Sequence, residues 1–241
     1  MDLTEKTGNL SRHPWELSRV YNLLKILKKS ANSVFADIGA GDGYFSSKLT
    51  AVTDKPVFAI DNQFQQANRS ENGIIFLDDV SALENSSVDC VLLMDVLEHV
   101  EHEHSFLELV LDKLKANGKI LITVPAWQFL FSSHDSFLKH YRRYSRQQMI
   151  SVLKRHNIEI EQNYYFFISL FLLRCFSKLI EKLGKKERKN RGVGQWGYDE
   201  RSIVTRTLLL MLNIDFMISK TIGKHLRLPG LSFLAVCRKK G

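Results

Sequence analysis

Cysteine is scarce in this chain of 241 residues: Cys90, Cys175 and Cys237 are too few and too scattered for a disulfide framework. Cys90 and Cys237 fall in predicted strands and Cys175 in an apolar helix, so all are expected to be reduced packing residues of a cytoplasmic protein. Repeats and low-complexity tracts are lacking, and a charged fraction of 25% is too ordinary for a disordered chain. The first residues, with Asp2, Glu5 and Lys6 among polar neighbours, lack the apolar core of a secretion signal. No apolar run reaches the roughly twenty residues that a bilayer demands. Tyr164–Leu173 is too short, and Ile203–Ile222 is broken by Arg206, Asn213 and Asp215. What remains is one domain with an insertion, long enough to bury a real core.

Excess positive charge is also missing from most of the chain. Residues 1–168 carry 18 Lys and Arg against 21 Asp and Glu, whereas residues 169–230 carry 13 against 5. The net charge of +8 is therefore local, and it coincides with the most apolar region. There Tyr164–Leu173 is followed by Arg174, Lys178 and Lys182, then by the cationic stretch Lys185-Lys186-Glu187-Arg188-Lys189-Asn190-Arg191, then by the second apolar helix. A basic amphipathic pair suits an anionic membrane surface. A helical lid over the sheet and a dimer interface are the alternatives. Aromatic and basic residues do not interleave as a nucleic-acid strand would require, so no nucleic-acid partner is expected.

The most informative segment is Val34-Phe35-Ala36-Asp37-Ile38-Gly39-Ala40-Gly41-Asp42-Gly43. It reads as a strand, a tight loop and a helix start, the place where α/β sheets bind nucleotide-like ligands. A dinucleotide fingerprint, G-x-G-x-x-G, would need its third glycine at Tyr44. Downstream, Val57–Ile60 ends in Asp61, placed to accept hydrogen bonds from ribose hydroxyls. Ile74–Leu77 ends in Asp78-Asp79, Val88–Val96 leads into Leu97-Glu98-His99, and Lys119–Pro125 follows Asn117-Gly118. Strands alternating with helical segments predict βαβ units and a parallel sheet. Pro14 suits the first turn of a helix to about Lys29, and Ser145 with Gln148 forms a capping box.

The D-x-G-x-G-x-G loop and the ordered acids resemble class I S-adenosylmethionine-dependent methyltransferases (type 11/12-like). The resemblance implies an α/β, Rossmann-like fold with a seven-stranded, mostly parallel sheet whose last strand is antiparallel. Residues 1–32 would form an N-terminal helical cap and 33–168 the cofactor-binding core. Residues 169–230 would be a basic apolar helical insertion between strands 6 and 7, and 231–241 the final strand. S-adenosylmethionine is the implied cofactor, held by Asp37, Gly39, Gly41, Gly43, Asp61, Asp79 and Asp95. Asp79 would meet the adenine amino group, and Asp37 and Asp95 the cationic methionyl part.

His13-Pro14-Trp15-Glu16, Val124-Pro125-Ala126 and the loop His134–Tyr144 resemble a bacterial subgroup linked to surface-glycan and lipid-linked sugar pathways. That likeness places Trp15, Arg142, Arg143 and Tyr144 at the acceptor, with the arginines able to clamp a phosphate. His99, His134 and His140 are the candidate catalytic residues, since a hydroxyl acceptor benefits from a base near neutrality. Asp95, Glu98 and His99 stand at i, i+3 and i+4, as in ubiquinone-pathway O-methyltransferases that can use a divalent metal. Those carry glutamate where this chain has Asp95, and no metal is expected. The expected reaction is O-methylation of a lipid-linked or amphipathic acceptor by a cytoplasmic protein, peripheral on the inner face of the membrane. A soluble small molecule or quinone precursor is the alternative acceptor. A cofactor-binding protein without transferase activity is a second alternative, and a dinucleotide-dependent reductase, opposed by Tyr44, a third.

Overall fold

The computed structural model describes residues 12–27, 31–64, 69–184 and 202–241, without the side chains of 182–184 and Lys224. The cationic stretch with Lys185, Lys186, Arg188 and Lys189 lies outside the described residues. The described residues begin with helix α1 (Pro14–Leu27), followed by β1 (Phe35–Ile38), α2 (Tyr44–Leu49), β2 (Val57–Ile60), β3 (Arg69–Glu71), β4 (Ile74–Leu77) and β5 (Val88–Met94). It continues with α3 (Glu103–Lys113), β6 (Leu114–Pro125), α4 (Ser133–Phe137), α5 (Arg146–Arg155) and β7 (Ile158–Phe166). Helices α6 (Ile168–Gly184) and α7 (Ile203–Ile218), a π turn (Ser219–Gly223) and the short α8 (Lys224–Leu226) precede β8 (Ser232–Lys239).

The strands form one sheet in the order β3-β4-β2-β1-β5-β6-β8-β7. β4, β2, β1, β5 and β6 are mutually parallel, and β8 is antiparallel to both β6 and β7. The apolar runs and the antiparallel last strand are as the sequence predicts, with one addition. β3 pairs antiparallel with β4 across Asn72-Gly73, making eight strands rather than seven. Its residues Arg69-Ser70-Glu71 are all exposed, so it holds by backbone pairing and leaves no hydrophobic pattern to read. The Asn-Gly hairpin turn is its local signal. Ser145 and Gln148 form the expected capping box, with reciprocal bonds of 2.8 and 3.2 Å.

Each face of the sheet is covered, as continuous apolar strands require. On one face α3 and α5 bury Leu107, Val110, Met149 and Leu153 against β5, β6 and β8. On the other, Leu23 of α1, Leu49 of α2 and Leu212 and Phe216 of α7 pack on Phe35, Leu92, Leu121 and Leu234. Cys90 and Cys237 are buried strand residues whose thiols burial pushes up to about 12.

The segment between β7 and β8 is fastened at defined points. Asn213 of α7 accepts hydrogen bonds from Ser18 (2.8 Å) and Asn22 (2.8 Å) of α1. Asp215, which interrupts the apolar run in sequence, accepts from the backbone N–H groups of Ile168 (2.9 Å) and Ser169 (2.8 Å) and so caps α6. Entry and exit meet: the Leu231 N–H donates to the Phe167 carbonyl at 3.2 Å. A Cβ on Gly230 would lie 2.3 Å from the Phe166 oxygen, so only glycine fits there.

Both helices carry apolar side chains in the open. On α6 these are Leu172, Leu173, Phe176, Leu179 and Ile180, spaced along one helical face. On α7 they are Ile203, Val204, Leu210, Met211, Ile214 and Met217. Among the described residues no helix is long and apolar enough to cross a membrane.

Phe216 is the chief apolar anchor of α7, touching Tyr164, Phe166 and Phe167 at ring separations of 6.2, 5.1 and 6.2 Å. Phe216→Ala is expected to cost about 3–5 kcal/mol. Denaturant unfolding should show a lower midpoint and a single transition. A separate early transition for the helices would contradict this packing.

Candidate active site

Four neighbouring parallel strands deliver an acid to the same edge of the sheet. Asp37 lies within β1, and Asp61, Asp79 and Asp95 follow β2, β4 and β5. Asp37 is fully buried and accepts a hydrogen bond from Ser46 Oγ at 2.6 Å, while its Oδ1 has no hydrogen-bond partner. Burial pushes its carboxyl up to about 6, against the opposing effect of the Ser46 bond. The loop beyond turns through Gly39, Gly41 and Gly43 at φ of +72°, +57° and +74°. A Cβ on Gly39 would come within 2.6 Å of Val96 Cγ2, so both conformation and space exclude a side chain there.

Asp61 accepts from the N–H groups of Gly41 (2.8 Å) and Gln63 (2.9 Å), tying the end of β2 to the glycine loop. Asp79 is exposed and accepts from the Ser81 N–H at 2.6 Å, and this bonding holds its carboxyl below the usual range. Asp95 adopts φ of +55°, pairs with Arg19 of α1 and accepts from Thr123 Oγ1 at 3.1 Å. Burial works to raise the Asp95 carboxyl, but Arg19 and Thr123 outweigh it and hold it low. Arg19 is buried, rests 4.9 Å over the half-buried Trp15 ring, and keeps an Nε without a hydrogen-bond partner. Arg12 pairs with Asp42 of the glycine loop and lies 3.7 Å over the Tyr44 ring. Arg12, just ahead of α1, is thus bound to Asp42, and α1 itself to Asp95.

The loop after β6 closes the other side. Asp135 is fully buried and receives Arg143 Nε (2.7 Å), Arg143 Nη2 (3.1 Å), the Ser132 N–H (2.9 Å) and His140 Nδ1 (3.0 Å). Burial opposes its charge, but the bonds to His140 and Arg143 prevail and hold the carboxyl far below its ordinary range. The Tyr141 N–H donates to the Glu98 carbonyl at 2.8 Å and brings the loop against the turn after β5. The rings of His99 and His140 then meet edge to face, 4.5 Å apart. Glu98 beside them is fully buried with neither carboxylate oxygen hydrogen-bonded. Burial first, and then Asp95, push its carboxyl well above the usual range. His134 stands in the first turn of α4, and burial lowers its pKa.

The two arginines do not form a clamp. Arg143 turns inward to Asp135, whereas Arg142 donates to the Glu101 carbonyl (2.9 Å) and faces Glu103 (3.4 Å). Tyr144 is buried, its hydroxyl on the Leu97 carbonyl (3.1 Å) and Glu103 (2.5 Å), so it supports the loop from within. Arg19, Asp42 and Asp135 escape sequence reasoning. Only Asp135 carries a local cue, its five-residue distance from His140, and the other two have partners far along the chain.

A family model described as a methyltransferase domain matches residues 16–163. The chain belongs to this family. It is an S-adenosylmethionine-dependent methyltransferase, and the fold agrees. A SAM-dependent methyltransferase from Archaeoglobus fulgidus superposes with a TM-score of 0.55 at 15% identity, covering 94% of this chain and 95% of that one. The 1,6-didemethyltoxoflavin-N1-methyltransferase of Burkholderia thailandensis, with its substrate and S-adenosylhomocysteine bound, gives 0.54 at 14% identity, covering 95% and 79%. The phosphoethanolamine N-methyltransferase 2 of Haemonchus contortus, bound to phosphomonomethylethanolamine and S-adenosylhomocysteine, gives 0.53 at 15%, covering 94% and 53%. None of the curated proteins matches this methyltransferase.

The residues present fit the cofactor. Its methionyl end carries an ammonium, a carboxylate and the sulfonium. The open Oδ1 of Asp37 and the open Nε of Arg19 are buried atoms of the right sign to receive the first two. When bound, the cofactor supplies a methyl group made electrophilic by the sulfonium charge. Asp37 must be ionised to hold a cation, so affinity should weaken up to tenfold per pH unit below about 6. Titration calorimetry should show Asp37→Asn binding weakly and with little pH dependence. The unliganded protein should behave in the opposite sense. A carboxyl with a raised folded-state pKa holds its proton more tightly when folded, so ionisation withdraws about 3 kcal/mol between pH 3.8 and about 6. Thermal scans without cofactor should show stability falling across that window, with a smaller fall in Asp37→Asn because Glu98, also raised by burial, still contributes.

Proposed function

We propose that this methyltransferase methylates an oxygen of a lipid-linked or amphipathic acceptor at the cytoplasmic surface of a membrane. The observation that carries the reading is the pair of open apolar stripes on α6 and α7, in the one region of strong positive charge. Contiguous exposed apolar surface of this kind marks an interaction site. Helices too short or too polar to span, with cations beside them, suit the headgroup boundary of an anionic leaflet.

Helix α6 is tied to the start of the loop after β6. Phe171 of α6 packs on Trp127 (5.9 Å) and Phe129 (6.5 Å), and Lys178 donates to the Phe129 and Phe131 carbonyls. These residues begin the loop that carries Asp135 and His140. An amphipathic acceptor resting its apolar part on the stripes would present its polar end to the His99–His140 pair. In this reading Asp37, the glycine loop, Asp61, Asp79, Asp95 and Arg19 hold the cofactor. His99 and His140 face the acceptor, and Trp15 and Arg142 border it. His134 lies at the outer end of the loop.

Sedimentation with vesicles of anionic phospholipid tests the surface, and methyl transfer tests the acceptor. The wild type should pellet, and Leu172→Glu combined with Phe176→Glu and Leu179→Glu should leave at least tenfold more protein in the supernatant while still binding cofactor. With labelled S-adenosylmethionine and membranes, label should enter the solvent-extractable lipid. Equal pelleting of both proteins would make the stripes a lid or an interface between copies, and label confined to water-soluble products would move the acceptor to the small metabolites.

A further inference from the structure

We infer that Glu98, His99 and His140 form a binding site for one divalent transition-metal ion of the zinc class, open on its fourth side to the acceptor. The inference deepens the acceptor-site reading above and rests on it only for what the open position faces. Each of the three residues offers one ligand atom, and these atoms lie within 4.8 Å of one another. Ligand atoms around a tetrahedral zinc sit about 3.4 Å apart, so closure on the order of 1 Å would seat an ion.

Three observations favour a cation over a packed polar cluster. First, both carboxylate oxygens of Glu98 are buried without a hydrogen bond, a costly state that a directly bound cation relieves. Second, His140 is oriented as metal ligands are. Its Nδ1 is engaged by Asp135 at 3.0 Å, which leaves Nε2 as its ligand atom. Asp135 is itself fixed by both Arg143 and Ser132, a buried carboxylate standing behind an imidazole. Third, the local charge is right. The positive charge of Arg19 is met by Asp95 and that of Arg143 by Asp135, so among the described residues no ion pair competes for Glu98, which would release its proton as a cation binds.

The donor set chooses the ion. Two imidazole nitrogens and one carboxylate oxygen suit zinc and its neighbours, whereas magnesium and calcium prefer oxygen throughout. Asp95, a ligand candidate by sequence spacing, is held by Arg19 and Thr123, and His140, forty-one residues beyond His99, takes its place. Three protein ligands leave a coordination position free. A hydroxyl bound there loses its proton to water more readily, which would ready the acceptor oxygen for methyl transfer.

Metal-stripped full-length protein titrated with Co2+ should develop the visible absorption of a low-symmetry site at one equivalent, and zinc added afterwards should bleach it. Glu98→Gln and His140→Asn should each weaken binding at least a hundredfold, and Asp135→Asn ten- to a hundredfold through loss of the group behind His140. Cofactor binding, followed by calorimetry in the same variants, should persist and so report that the fold is intact. Absence of one-equivalent binding by the wild type would overturn the inference, as would cobalt spectra unchanged in Glu98→Gln and His140→Asn. Because absorption requires no acceptor, a failed lipid assay leaves this result standing, and a failed titration leaves the lipid assay standing.

Discussion

The buried carboxylate of Asp135 organises the loop after β6, and with it the acceptor side of the proposed site. It gathers Arg143, His140 and the Ser132 backbone around one ionised side chain. With Arg143 drawn inward, the loop after β6 folds back on the sheet, and Tyr144 can reach the Leu97 carbonyl and Glu103. With His140 drawn inward, its ring comes against His99. The same loop begins with the aromatic group on which α6 rests. A buried ion pair of this kind adds little net stability, because desolvation offsets most of the attraction, yet losing one partner strands a charge at a cost of about 3–5 kcal/mol. Its value here is geometric: it fixes where one imidazole points.

Electrostatics divide the site into two halves. Around the strand ends, Asp37 is held back from ionising by burial, and Asp95 is kept ionised by Arg19. A cation arriving beside Asp37 would restore the charge that burial suppresses. Around the loop, Asp135 is committed to its partners while Glu98 has none for its carboxylate. Each half therefore holds one buried acid with an oxygen left without a hydrogen bond, Asp37 in the first and Glu98 in the second.

The strand-end acids were legible because each follows a short apolar run, and a parallel sheet carries all such ends to one edge. The glycine loop was legible for a similar reason, since Gly39 is demanded by both its φ and the nearness of Val96. Harder to read were residues whose partners lie far along the chain. Arg19 finds Asp95, and Asn213 finds Ser18 and Asn22, through packing alone. Arg143 and Tyr144 look like acceptor ligands in a polar loop because sequence shows their chemistry and not their direction. Asp215 looks like an interruption of an apolar helix and serves as the cap of another. β3 went unseen because its three side chains are polar and exposed.

The meeting of Phe167 with Gly230 and Leu231 has a further consequence. The two ends of a segment of about sixty residues are joined by a backbone hydrogen bond between Leu231 and Phe167. Such a segment is a cassette. Residues can be added or lost in it away from Leu212, Asn213 and Phe216 while strand registers on either side stay as they are. In the membrane-surface reading proposed above, change on its exposed faces would re-address the enzyme to a new surface and leave the strand ends as they are.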